Sequence, residues 1–325
     1  MLSWQFLQIL QASIIETDGL QTTIILSERE RVNAIAKSES VVKGGDGSVI
    51  LFDVHASGVQ DVAFNGNSKQ TSVVVYETPD SIVPNITNGT LDYSHGVLTL
   101  QATEIVDTTP ASMIVLPLIL IVNNTGDALL ALTGATVLES DQYQVTIQLT
   151  EYQRARSVER SSTPGGDNVP VVVDLRDGAV NDIALNNITD IFAVEIVEVA
   201  DTKRPTAIQG HINYENGILK LTADESIDSN ATFAVFDRTK FFIRDVTGTG
   251  GFDLADTIIV GNQRPEIYFF LSELQRVEGI KISGTPGGDF GAAILDTLAL
   301  SFNDLSGNPS LEALNITMTE SADAK

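Results

Sequence analysis

The segments SSTPGGDN (Ser161–Asn168) and SGTPGGDF (Ser283–Phe290) decide how the chain is read, and a poorer copy, SVVKGGDG, stands at Ser40–Gly47. A glycine-rich loop of this kind either cradles a phosphate or punctuates a repeated fold. A phosphate-binding P-loop requires GxxxxGK[ST] between a strand and a helix. Here no Lys-Ser or Lys-Thr follows the glycines, and the motif comes after a short helix signal and before a strand-like run. Gly165, Gly166, Asp167, Gly287, Gly288 and Asp289 are therefore read as turn residues that return the chain to a sheet, with Pro164 and Pro286 setting the approach.

Used as an anchor, the motif shows that the chain is a repeat. The 37-residue segments Gly44–Asp80, Gly165–Asp201 and Gly287–Asp323 align without a gap. Each carries Gly-Gly-Asp, an Asp seven residues later (Asp53, Asp174, Asp296), another eight beyond it (Asp61, Asp182, Asp304), and an Asn four further on (Asn65, Asn186, Asn308). Upstream, LSERERV from Leu26, LTEYQRA from Leu149 and LSELQRV from Leu271 each place Ser or Thr three residues before Glu or Gln. That is a capping box, so each copy has one short helix. The remainder consists of β-branched runs separated by Gly, Asn and Asp turns: in the second copy TLDY, VLTLQAT, MIVLPLILIV, LLALTGATVL, QVTIQLT, VPVVVDL and IFAVEIVEV. Such spacing predicts antiparallel β-sandwiches. Breaks at TPDSIVP and ADTKRP divide the chain into residues 1–80, 81–201 and 202–325. Linkers this short favour an elongated rod.

Composition narrows the function. The 325 residues carry 43 Asp and Glu against 19 Lys and Arg, a net charge of -24, which repels nucleic acid and anionic membranes. With no cysteine there is no disulfide framework, thiolate metal site or cysteine nucleophile. The apolar run Met113–Val122, interrupted by Pro117, is about half the length a membrane-spanning helix needs and reads as a buried strand or strand pair. The start, MLSWQFLQIL, lacks the basic region and continuous apolar core of a signal peptide.

The combination ADTKRP, INYENGILKLTADESID, LSELQRV and LSFNDLSGNPS resembles the Ig-like, DTxxP-linked repeats of large microbial and algal surface proteins. The matching residues are Asp201, Pro205, Gly217, Leu219, Leu221, Glu225 and Asp228, with LDYSHGVLTLQATEIVD from Leu91 as the preceding copy. The DxxGN turn survives as Asp304, Gly307 and Asn308 but becomes DIALN in the second copy and DVAFN in the first. The resemblance covers nearly the whole chain and implies tandem Ig-like modules of bacterial-Ig or cadherin-like type, in an extracellular stalk, adhesin or fibre. It extends to subunits of the glycan-coated helical filaments of aquatic microorganisms, which also use Ig-like modules.

The first copy is incomplete. Leu26 aligns with Leu149 and Asp18 with Asp141, so Met1 falls opposite Asn124, and residues 81–123 of the second copy have no counterpart. A sandwich without its opening strands exposes apolar interior and unpaired amides, the condition for strand addition. The expectation is a homopolymer in which a neighbouring copy completes the first domain, head to tail. The competing explanation is that 325 residues are part of a longer protein.

Six N-x-S/T sequons occur, at Asn85, Asn88, Asn123, Asn187, Asn230 and Asn315. N-linked glycans are expected on at least two, foremost Asn85, Asn88, Asn123 and Asn187, if the chain is secreted. The recurring Asp positions are assigned chiefly to Asx turns, whereas Asp80, Asp201 and Glu225, near the domain boundaries, are the calcium candidates. His55, His95 and His211 share no repeat position, no GxSxG elbow occurs, and no enzyme is expected. An adhesin for carbohydrate or protein is the alternative reading. Against it, the copies are nearly equal in length and Trp4 is the single tryptophan; the divergent segment Phe236–Asp253 is where a partner contact is expected first.

Overall fold

The computed structural model describes residues 9–15, 18–123, 129–229, 236–261 and 264–324. Trp4 and the Asn230 sequon lie outside them. In chain order the first repeat contributes β1 (Ser13–Ile15), β2 (Thr23–Ile25), α1 (Glu28–Ile35), β3 (Leu51–Val54) and β4 (Gln70–Val74). The second contributes β5 (Ile86–Asp92), β6 (Val97–Val106), β7 (Ile119–Asn123), β8 (Leu130–Ala131), β9 (Thr136–Val137), β10 (Gln142–Gln148), α2 (Glu151–Val158), β11 (Val171–Leu175) and β12 (Ile191–Val199). The third contributes β13 (Ala207–Asn213), β14 (Ile218–Ala223), β15 (Phe241–Arg244), β16 (Gly251–Asp253), β17 (Ile258–Gly261), β18 (Glu266–Phe270), α3 (Glu273–Lys281), β19 (Ile294–Thr297) and β20 (Ala313–Ser321).

The second repeat forms a curled sheet in the order β8-β7-β11-β12-β5-β6-β10-β9, and the third repeats that order as β16-β15-β19-β20-β13-β14-β18-β17. Its closure depends on β12, which pairs antiparallel with β11 through Ile191–Glu195 and then parallel with β5 through Ile196–Val199. The strand bulges within its pairing with β11, ahead of the parallel stretch, where Ala193 has φ 55° and donates its N–H to Asp174 Oδ1. Asn315 with Asp296 and Ser72 with Asp53 repeat this arrangement. The second recurring Asp thus satisfies the amide of a bulged strand in each repeat. Between the faces lies a core containing Leu98, Leu100, Ile121, Val145, Ile147 and Val173. The chain is therefore a tandem of Ig-like sandwiches, antiparallel except where the switching strand meets β5 or β13.

All three capping boxes form, at Ser27 with Glu30, Thr150 with Gln153 and Ser272 with Gln275. The apolar run from Met113 departs from expectation. It makes single turns of 3-10 helix at Ala111–Met113 and Leu116–Leu118, and only Ile119–Asn123 is strand. Pro117, which has no N–H to give a sheet, sits in the second turn. LLALTGATVL likewise divides, with β8 joining β7 and β9 joining β10 across a turn in which Gly134 has φ 89°.

Among the described residues the first repeat has no counterpart of β5 or β6, β1 pairs only with β2, and β3 only with β4. Ile24, Leu51, Val73 and Val74 are exposed in consequence.

Candidate functional site: the junctions between repeats

The glycine motif sits where one repeat meets the next. Gly165 has φ 90°, and a Cβ there would overlap the carbonyl oxygen of Leu305 in the third repeat; Gly44, with φ 81°, faces the carbonyl of Ile183 in the second in the same way. The following glycines, Gly45, Gly166 and Gly288, lie against the carbonyls of Ser38, Ser161 and Ser283. One glycine therefore closes the turn, and the other allows backbone of the next repeat to approach closely. Asp167 and Asp289 accept from the amides of Val169 and Gly291, ordinary Asx turns.

The surface that meets Gly165 is the loop from Asp304 to Asn308. Asp304 accepts from Asn308 N at 2.8 Å and Asn308 Nδ2 at 2.8 Å, and that amide group also donates to the Asp201 carbonyl at 3.1 Å. Asp182 and Asn186 do the same for the Asp80 carbonyl. The expected turn role of the third recurring Asp is therefore joined to a position in the junction.

An arginine from the capped helix ties each junction together. Arg154 donates to Asp201 at 2.7 Å, to Glu225 at 3.1 Å, to both oxygens of Glu151 and to the Tyr93 carbonyl. Glu151 in turn accepts from Ser226 N of the third repeat at 2.6 Å. In the first junction Arg31 pairs with Glu28, Asp80 and Glu104, and Glu28 accepts from Ile105 N. Arg154 is nearly buried, with its side chain 7% exposed against 32% for Arg31.

Three carboxylates converge at each junction. Asp201, Glu225 and Asp304 bring one oxygen apiece within 4.8 Å of one another, and Asp80, Glu104 and Asp182 form the matching group. The calcium candidates Asp80, Asp201 and Glu225 thus fall in two clusters, Asp80 in the first and the other two in the second. Sequence reasoning left out Glu104, Asp182 and Asp304 as their companions. The signal was present: Glu104 and Glu225 hold equal positions in LTLQATEIVD and LKLTADESID. Burial pushes Glu225 up to about 8 and Asp304 up to about 6; Asn308 opposes the second shift without cancelling it. Asp182 and Glu104 are also raised, again by burial first. Burial works against the charge of Arg154, but its carboxylate partners outweigh burial and hold it protonated.

The other candidates stand apart. Asn85, Asn88, Asn187 and Asn315 are exposed and Asn123 is half-buried; Asn315 Oδ1 accepts from Arg244. His95 pairs with Asp92 and His211 with Thr319, and neither acid cluster contains a histidine. In the divergent segment, Phe241 and Ile243 are core; the Phe241 ring stacks with those of Phe236 and Phe302 and tilts against that of Phe269. Its outer side, with Arg244, Phe252 and Asp296, lines a shallow depression of about 380 Å³.

No family model and no curated protein sequence matches the chain. Among solved structures, a titin A168–A169 fragment is similar at 7% identity and TM-score 0.21, over 74% of this chain and all of that one. Titin domains A168–A170 follow at 12% and 0.20, over 96% of this chain and 85% of that one. The Ig1-2 module of the Drosophila receptor tyrosine phosphatase DLAR gives 12% and 0.16, over 74% and 99%. These superpositions are too loose to argue from, and the Ig-like assignment rests on the strand order above. Among the described residues no helix is long and apolar enough to cross a membrane.

Proposed function

We propose that this chain is a structural subunit of an extracellular filament or surface fibre, built head to tail from Ig-like sandwiches, with the first repeat completed by strands of a neighbouring copy. One observation carries the reading: the far end of the third repeat presents the same clasp that holds the next repeat at both internal junctions. Arg276 donates to Asp323, Glu273 and the Tyr214 carbonyl, as Arg154 does to Asp201, Glu151 and the Tyr93 carbonyl. Glu273 is 73% exposed where Glu151 is 30%. Among the described residues, a Cβ at Gly287, with φ 95°, would meet only the Ile280 side chain.

The first repeat offers the complementary loop. Asp61 accepts from Asn65 N and Nδ2 as Asp182 and Asp304 do from their asparagines, yet here the loop is exposed. Joining such unlike ends is a heterologous contact that propagates unless its rotation closes. The strands completing the first repeat would bring the glutamate that matches Glu104 and Glu225. Exposed sequons on the outer surface suit a glycan coat.

The test is light scattering and negative-stain microscopy of the concentrated chain, beside Arg276→Ala and Asp61→Ala. Fibres that both substitutions shorten support the reading. Monomers with an ordered first repeat at high concentration overturn it. Mass spectrometry of native material checks the glycans, and bare asparagine at every sequon removes that part.

A further inference from the structure

We propose that two phenylalanines specify the contact between copies: Phe64 of one chain packs against Phe290 at the far end of a second chain, with Val62 seated on the helix beside it. This rests on the head-to-tail reading above and adds the surface that selects the partner.

The internal junctions supply the template. At each, the glycine turn of one repeat abuts the loop of the next, Gly44 against Ile183 and Gly165 against Leu305. Leu305 packs on the core of the second repeat. Val62 holds the same loop position in the first repeat and is exposed. The receiving face is bare on the third repeat. Val277 is 36% exposed where Ala155, at the same helix position, is 4%, and Ile280 is partly exposed where Val158 is buried. The two repeats share one strand order, and the difference is that the second is covered by the third. An apolar knob and an apolar seat thus stand uncovered on the two outer repeats, and burying one on the other is favourable.

Phenylalanine marks these two surfaces and neither internal junction. The residue after Gly-Gly-Asp is Gly47, Asn168 and Phe290 in turn, and the residue before the loop asparagine is Phe64, Leu185 and Gly307. Across the internal junctions Gly47 is matched with Leu185, and Asn168 with Gly307; between chains Phe290 is matched with Phe64. All six positions have φ between 60° and 85°, a left-handed conformation that Gly and Asn adopt readily and a bulky side chain resists. Both rings nonetheless stand in solvent, 82% exposed at Phe64 and 90% at Phe290. Strained backbone that carries an exposed ring gains nothing within the isolated chain, which points to a role in contact. The internal junctions leave room at these positions: a Cβ at Gly307 meets nothing within 4 Å, and one at Gly47 meets only Val41. Two rings placed there pack offset or edge to face.

Because the sequence has no cysteine, cross-linking reads the contact directly. Whole chains carrying Phe64→Cys and Phe290→Cys, treated with a short bismaleimide, should give a linked dimer only when mixed, and the double variant should give a ladder. A second pair of variants separates contact from fold. Phe64→Gly and Phe290→Asn install the residue types that stand at the matching positions 307 and 168. Each should keep or raise the melting temperature of the isolated chain while raising the concentration at which fibres appear by at least about tenfold. Fibres that form without the mixed cross-link, and at an unchanged concentration in both variants, overturn this contact and leave head-to-tail assembly standing. A chain that stays monomeric and uncrosslinked at high concentration overturns both. A melting temperature that falls in both variants makes the rings part of the fold and likewise overturns the proposal.

Discussion

The first and second repeats carry the same local signals and bury them differently. Both have a capped helix, a glycine turn and an aspartate that satisfies a bulged strand. Yet Ile24 is 40% exposed where its counterpart Ile147 is 0%, and Val73 is 42% exposed where Val194 is 5%. In the second repeat β10 is covered by β6, and β12 by β5. The first repeat has neither among the described residues. Caps, turns and bulges follow from neighbours in sequence, whereas a sandwich core needs strands from the far end of the module.

Substitution at the two arginines should separate the repeats most. Arg154→Ala leaves Asp201 and Glu225 buried without their cation and should cost about 3–5 kcal/mol. Arg31→Ala, at a more exposed junction, should cost about 1 kcal/mol or less. Chemical denaturation read by residue-resolved hydrogen exchange assigns each loss to its repeat, and equal losses would mean that both junctions are equally dry. Next comes the core: Ile147→Ala should cost about 2–5 kcal/mol, and Ile24→Ala in the isolated chain about 1 kcal/mol or less. If fibres form, the cost at Ile24 should rise towards that at Ile147, because a neighbour then covers it.

What could be read in advance follows the same division. The capping boxes and Asx turns were legible because donor and acceptor lie within a few residues. Arg31, Arg154 and Arg276 also recur visibly in LSERERV, LTEYQRA and LSELQRV. Their partners do not stand beside them: Asp201 is 47 residues from Arg154 and Glu225 is 71. Only the folded junction brings linker, helix and next repeat together. Asp182 and Asp304 were harder still, since their evident turn chemistry hid a second role. The apolar run from Met113 misled because hydrophobicity does not distinguish a half-buried 3-10 turn from a strand.

The glycine turns sharpen the comparison further. Gly165→Ala and Gly287→Ala both place a side chain at positive φ, at about 1 kcal/mol each. Gly165→Ala also meets Leu305 across the junction and should cost more. The excess, measured as the difference in melting temperature, reports how closely the repeats pack. Gly287→Ala should cost the isolated chain only the positive-φ strain, since its methyl meets Ile280 Cγ2 at an ordinary 3.4 Å, while shortening fibres in which a docked neighbour would meet it.

The smallest effect lies in the caps. The first repeat uses Glu30 where the second uses Gln153. Gln153 donates to the carbonyls of Ala131 and Thr133, whereas Glu30 accepts from the amides of Leu10 and Gln11 as well as from Ser27. The Gln11 amide foremost, with Ser27 and Leu10, outweighs burial and holds the carboxyl down to about 2. A depressed carboxyl stabilises the fold above its ordinary range near 4.5 and loses that contribution as pH falls through about 2. Amide exchange in α1 should therefore accelerate in acid relative to α2, whose amide cap does not titrate. Glu30→Gln should make the two helices respond alike, at the cost of acceptors for Leu10 and Gln11. If α1 and α2 already lose protection together in the parent chain, the carboxylate cap is not what holds the first helix.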